Sequence, residues 1–127
     1  MLTPDLVKNA VLVSWYQLHG RKCLLFDFHG TFSEDEATAA IKRWKEEASG
    51  LKPGEKTDLI WNCIEMKKYT GGAARLWKNA MAQFKDSTEF VWLVSSNPFI
   101  RMGAKTVTFL LPLKLKAVNS IDEIPAR

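Results

Sequence analysis

The run Asp58-Leu59-Ile60-Trp61-Asn62-Cys63-Ile64 constrains the fold more than any other stretch of the chain. It is nearly continuous in large apolar residues, which is how a central strand covered on both faces of a sheet reads. Helices have to supply that cover, and the flanking sequence predicts them. Upstream, Ser33 is an expected N-cap and Glu36 completes a capping box. The acidic cluster Glu34-Asp35-Glu36 sits where a helix dipole favours negative charge. Ala37, Ala40, Ile41, Trp44 and Ala48 then follow helical spacing, and Ser49-Gly50 with Pro53-Gly54 ends the helix. Downstream, Thr70 caps a second expected helix with a buried stripe of Ala73, Leu76, Trp77, Ala80, Met81 and Phe84.

Further strands are expected at Val11–Tyr16 and Cys23–Phe28, joined by a hairpin turn at His19-Gly20-Arg21-Lys22. Glu89–Val94 is another. Ser95-Ser96-Asn97-Pro98 opens a third helix, with Phe99, Met102, Val107, Leu110 and Leu111 as its wide apolar face and Pro112 as its stop. Leu113, Leu115 and Ala117 alternate with Lys114 and Lys116, the pattern of a half-exposed strand, and Ser120–Ile124 reads as a last helical turn. The order β-β-α-β-α-β-α-β defines an α/β fold: a single mixed, mostly parallel sheet of about five strands with helices packed on it. Ligands of such sheets collect at the carboxyl ends of strands. Those ends are expected at His29-Gly30, in a connection spanning Glu65 to Gly72, and at Ser95-Ser96-Asn97.

The 127 residues suit one domain, 1–127 with its core at about 10–124, able to bury a sizeable core without disulfides or metal. Composition excludes disordered, repetitive and collagen-like classes. Cys23 and Cys63 form no framework, so a reduced, cytoplasmic setting is expected. No signal peptide or transmembrane segment is expected either. Five Trp and seven Phe point to an aromatic core, or to a ligand pocket or partner face lined by some of these rings.

No phosphate loop, dinucleotide fingerprint, nucleophile elbow or zinc-protease motif is present. No cofactor is expected, and the two histidines and two cysteines lack the spacing of zinc ligands. Asp27, His29 and Cys63 are the scattered candidates for an enzymatic site.

The informative stretch is Lys67-Lys68-Tyr69-Thr70-Gly71-Gly72. Backbone N–H groups at a helix start bind anions, the glycines permit close approach, and the lysines favour negative charge. Thr70 also offers a hydroxyl for phosphorylation. The competing reading is a plain capped turn. Charge is uneven: residues 1–63 carry 8 Lys+Arg against 9 Asp+Glu, and residues 64–127 carry 10 against 5. Arg75, Lys78, Lys85, Arg101 and Lys105 would extend a positive face from the lysine pair towards an acidic protein, a phospholipid surface or a nucleic acid. Nucleic acid is disfavoured, because the aromatics occupy core positions and do not interleave with the cations.

The strand ahead of Gly30-Thr31-Phe32-Ser33-Glu34-Asp35, the run Leu59-Ile60-Trp61-Asn62, the helix around Trp77 and the strand Val91-Trp92-Leu93-Val94 together resemble the STAS domain of anti-sigma-factor antagonists. The SpoIIAA-like branch, related to STAS and to SEC14-type lipid-binding domains, is the nearer resemblance. It implies binding without catalysis, with an anti-sigma-type regulator or a lipid-like small molecule as partner, and it is compatible with a homodimer. Lys67, Lys68, Tyr69, Thr70, Gly71, Gly72 and Arg75 are then the expected partner- or ligand-binding residues. The Asp-Ser-Ser-Gly type sequence that carries the kinase-modified serine of STAS antagonists is replaced here by Tyr69-Thr70-Gly71-Gly72. The acidic residue is missing, and Thr70 or Gly71 falls at the modified position.

Overall fold

The computed structural model describes residues 9–126. Five strands, β1 (Ala10–Leu18), β2 (Arg21–Phe32), β3 (Thr57–Tyr69), β4 (Thr88–Val94) and β5 (Lys114–Val118), form one sheet in the order β1-β2-β3-β4-β5. β1 runs antiparallel to β2, and the remaining pairs are parallel. Helices α1 (Glu34–Ala48), α2 (Gly71–Phe84) and α3 (Pro98–Thr108) make the three crossovers. This is the mixed α/β sheet expected from the sequence.

The hairpin is tighter than the four residues expected. Leu18 pairs with Arg21, so the turn is His19-Gly20 alone, with φ of 52° and 76°. Two positive φ values match the twist of the strands they join. His19 Nε2 donates to the Ile124 carbonyl at 2.7 Å, fastening the turn to the C-terminal segment.

Because each parallel strand is added on the same side of its predecessor, right-handed crossovers put α1, α2 and α3 on one face of the sheet. That face holds the larger core. Trp77 is its hub, edge-on to Phe26, Phe28 and Phe32 at 5.3–5.6 Å between centroids, with Trp44 at 5.1 Å. Phe84 stacks on Trp44 at 4.5 Å. The aromatic content is therefore largely core, and edge-to-face packing adds to its burial energy.

The opposite face carries a smaller cluster in which Leu25, Ile60 and Trp92 are covered by Ile121 and Ile124. The central strand is thus covered on both faces, but its second cover is the C-terminal segment with its 3₁₀ turn at Ile121–Glu123. That cover is short, and Ile64 is 55% exposed.

α3 departs from expectation. Its inner positions are Ile100, Ala104 and Val107, spaced for one helical face. Phe99, Met102 and Leu110, assigned to the buried face from the sequence, turn outward, at 75%, 63% and 77% exposure, and Leu111 is half-buried.

Candidate functional site

β3 runs to Tyr69 and β2 to Phe32, so Glu65 to Tyr69 and His29-Gly30 are strand, not the loops expected. Two register shifts between these strands explain the error. Asp27 opposes Asn62 and His29 opposes Glu65, then Gly30 opposes Met66 and Thr31 opposes Lys68. The extra residues of β3 break its alternation, leaving Glu65, Lys67 and Lys68 exposed around a buried Met66. The connection to α2 is Thr70 alone. Thr70 Oγ1 accepts from the Ala73 N–H at 3.1 Å, the cap expected from the sequence.

The start of α2 already has an anion against it. The side chain of Glu34, in the first turn of α1, lies where a Cβ on Gly72 would stand. Gly72 therefore permits close approach by this chain's own carboxylate. Lys67, Lys68, Gly71 and Arg75 are exposed nearby, and Thr70 is half-buried. The wider positive face is dispersed. Lys85 is at the far end of α2, about 20 Å along its axis. Arg101 is engaged, donating to the Ser95 carbonyl at 2.6 Å and to Asn119 Oδ1 at 2.9 Å.

The three scattered enzymatic candidates are not brought together. Asp27 alternates with the core residues Phe26 and Phe28 and, like His29, lies on the sheet face away from the helices. There Asn62 Nδ2 donates to Asp27 Oδ1 at 2.8 Å. Cys63 belongs to the helix-side core, where burial pushes its thiol far above the usual range. Both cysteines are buried. Among the described residues no group of three or more His, Cys, Asp and Glu side chains is placed to hold a metal ion.

An apolar concave feature lies under α2 and α3. Its floor is Phe28, Trp61 and Cys63, and its walls include Trp77, Ile100 and Ala104. Tyr69, the one expected site residue that reaches it, packs into a notch left by Gly103 and donates its hydroxyl to the Phe99 carbonyl at 3.2 Å. The cavity measures about 40 Å³, and its crevices and mouth bring the atom-free space to about 400 Å³. No Lys, Arg, His, Asp or Glu lines it. Two of its lining residues, Trp61 and Trp77, have indole Nε1 atoms that are buried and without a hydrogen-bond acceptor. The high aromatic content foreshadows rings around a pocket. Which indole N–H groups lack partners is a tertiary property with no sequence signal.

No family model and no curated protein matches the chain. Solved structures do. An uncharacterised DUF3478-family protein from Shewanella loihica PV-4, described as having a SpoIIAA-like fold, superposes with a TM-score of 0.75 over 90% of each chain at 10% identity. The anti-sigma factor antagonist SpoIIAA in its unphosphorylated form superposes with a TM-score of 0.52, over 84% of this chain and 90% of its own, at 14% identity. The chain has a STAS/SpoIIAA-like fold.

Proposed function

We infer that this chain is a non-enzymatic, single-domain binding module of the regulatory kind, and that its ligand is an apolar small molecule held between the sheet and helices α2 and α3. The observation that carries this reading is an uncharged cavity lined almost entirely by aromatic and aliphatic side chains. Concave, mostly apolar spaces lined by aromatic side chains are where small apolar ligands bind. An anionic head group at Gly71-Gly72 loses support, because the Glu34 side chain already stands against Gly72. The separation of Asp27 and His29 from Cys63 across the sheet supports a role without catalysis.

Native mass spectrometry of the freshly purified protein, before and after incubation with lipid extracts, tests the reading. Adducts of apolar molecules are expected, and Ala104→Leu, which fills the cavity from α3, is expected to remove them. A clean apo mass under every condition would count decisively against ligand carriage.

A second reading is docking of an acidic protein such as an anti-sigma-type regulator. It is favoured by the adjacent exposed Lys67 and Lys68, which have no ion pair among the described residues. Such a contact weakens as salt rises. A partner whose capture ignores both salt and the double reversal Lys67→Glu/Lys68→Glu would remove this reading.

A further inference from the structure

β1 is one edge of the sheet, and among the described residues its only ladder partner is β2. The hairpin fixes which backbone groups that pairing leaves over. Leu18 and Arg21 close a two-residue turn, so they exchange both N–H···O bonds, and every second pair back along the ladder does the same. Ala10, Leu12, Ser14, Tyr16 and Leu18 thus spend their N–H and C=O groups on β2. Val11, Val13, Trp15 and Gln17 direct theirs away from it, and among the described residues no backbone group meets them. Proteins blunt such edges with charge, proline, a bulge or short length. β5, the opposite edge, has 5 residues, with Lys114 and Lys116 among them. β1 has 9 residues, none charged and none proline, and it pairs with β2 without a register shift.

We propose that this edge pairs with a second copy of the chain, β1 antiparallel to β1 about a two-fold axis at Ser14. That register overlaps the whole strand and sets Val13 against Trp15, and Val11 against Gln17, of the second copy, so outward backbone groups meet outward backbone groups. On the sheet face away from the helices it sets Leu12 opposite Tyr16 of the second copy, twice by symmetry. Leu12 is 59% and Tyr16 37% exposed. Both fall at non-hydrogen-bonded positions, where cross-strand side chains come closest. A shift of two residues either way separates them. The strand carries no charge, so self-pairing buries none and sets no like charges opposite one another. The axis is perpendicular to the sheet, so two five-stranded sheets continue into one with the helices of both copies on the same face. An edge about 30 Å long and about 15 Å deep, the sheet with part of α1, buries about 900 Å² over both copies, the range of weak, concentration-dependent association. The cavity under α2 and α3 lies away from this edge, so the dimer stands or falls independently of the ligand reading.

Sedimentation equilibrium tests the association, and cysteine crosslinking tests the register. The wild-type protein is expected to pass from monomer to dimer between about 5 and 500 μM. Ser14 is exposed, so Ser14→Lys is expected to keep the fold. It sets two ammonium groups against each other at the axis and is expected to weaken the dimer about fivefold or more. Ser14→Cys brings the two thiols together, with Cα atoms about 4.5 Å apart, within disulfide reach. Mild oxidation is expected to give a covalent dimer. Gln17→Cys is exposed on the same strand but stands about 20 Å from its copy in this register, and is expected to stay monomeric. Cys23 and Cys63 are buried and supply no crosslink of their own. Should Ser14→Lys not fold, the wild-type sedimentation and the two cysteine variants decide. A wild-type monomer throughout the concentration range, a Ser14→Lys dimer as tight as wild type, or crosslinking of Gln17→Cys as fast as that of Ser14→Cys would overturn the proposal.

Discussion

Asp58 is a buried carboxylate at the start of the central strand, 3% exposed, and it is tolerated because it is answered from two sides. Arg21 lies 3.2 Å from one oxygen and the indole of Trp92 donates to the other at 3.3 Å. Charge-assisted bonds of this kind are the strong ones. Asp58→Ala strands the Trp92 donor, while the partly exposed Arg21 can turn to water. A loss of about 1–3 kcal/mol is expected in urea unfolding. Asp58→Asn, which keeps an acceptor for Trp92, is expected to lose less. Cys63 makes the opposite case, a titratable group kept neutral by burial. Its folded pKa lies above the unfolded value of 9.0, so the native state holds the proton that the unfolded chain releases. Stability from this group is intact below pH 9 and declines above it, by at most about 1.4 kcal/mol per pH unit. A thiol reagent at pH 8 is expected to leave Cys63 unlabelled until denaturant is added. Rapid labelling of the native protein would contradict its burial.

At the scale of elements, two glycines set how the helices meet their neighbours. Gly72 lets α2 start against Glu34 of α1, and Gly103 lets α3 settle over the ring of Tyr69. A Cβ at position 103 would collide with the Tyr69 ring and hydroxyl. Gly103→Ala is therefore expected to break the Tyr69–Phe99 hydrogen bond and loosen α3, read as faster amide hydrogen exchange in residues 98–108 with little change in β2 and β3. The helices were legible in the sequence where capping chemistry and periodicity agreed. Ser33 N–H donates to Glu36 Oε1 at 3.1 Å, and Asn97 Oδ1 accepts from Phe99 and Ile100 N–H. Strand ends were not legible. Lys67 and Lys68 look like a loop because the register shifts of β3 expose consecutive polar residues, which period-two reasoning cannot anticipate. The outer face of α3 misled for a related reason. Phe99, Met102 and Leu110 are apolar at plausible helical positions, and only the packing of Ile100, Ala104 and Val107 against the sheet decides which side is inside.

For the whole molecule, sheet order decides where the cavity lies. A sheet that grows in one direction keeps α1, α2 and α3 together, concentrating the aromatic core and its cavity on one face. The sequence carried the fold this far, down to the order of its strands along the chain. It located the candidate site at the Thr70 cap, of which Tyr69 alone reaches the cavity. The cavity forms where β2, β3, α2 and α3 converge, and the side chains that define it are scattered from Phe28 to Val107. No local pattern could gather them. Among the described residues no helix is long and apolar enough to cross a membrane.

Indole N–H resonances of the ¹⁵N-labelled protein, followed while cyclohexanone is added, test the central claim most directly. The signals of Trp61 and Trp77 are expected to move together and saturably, while those of Trp15 and Trp92, already bonded to carboxylates, stay in place. Signals of Trp61 and Trp77 that remain fixed to the solubility limit of the ketone, or movement confined to Trp15 and Trp92, would contradict a ligand site between the sheet and helices α2 and α3.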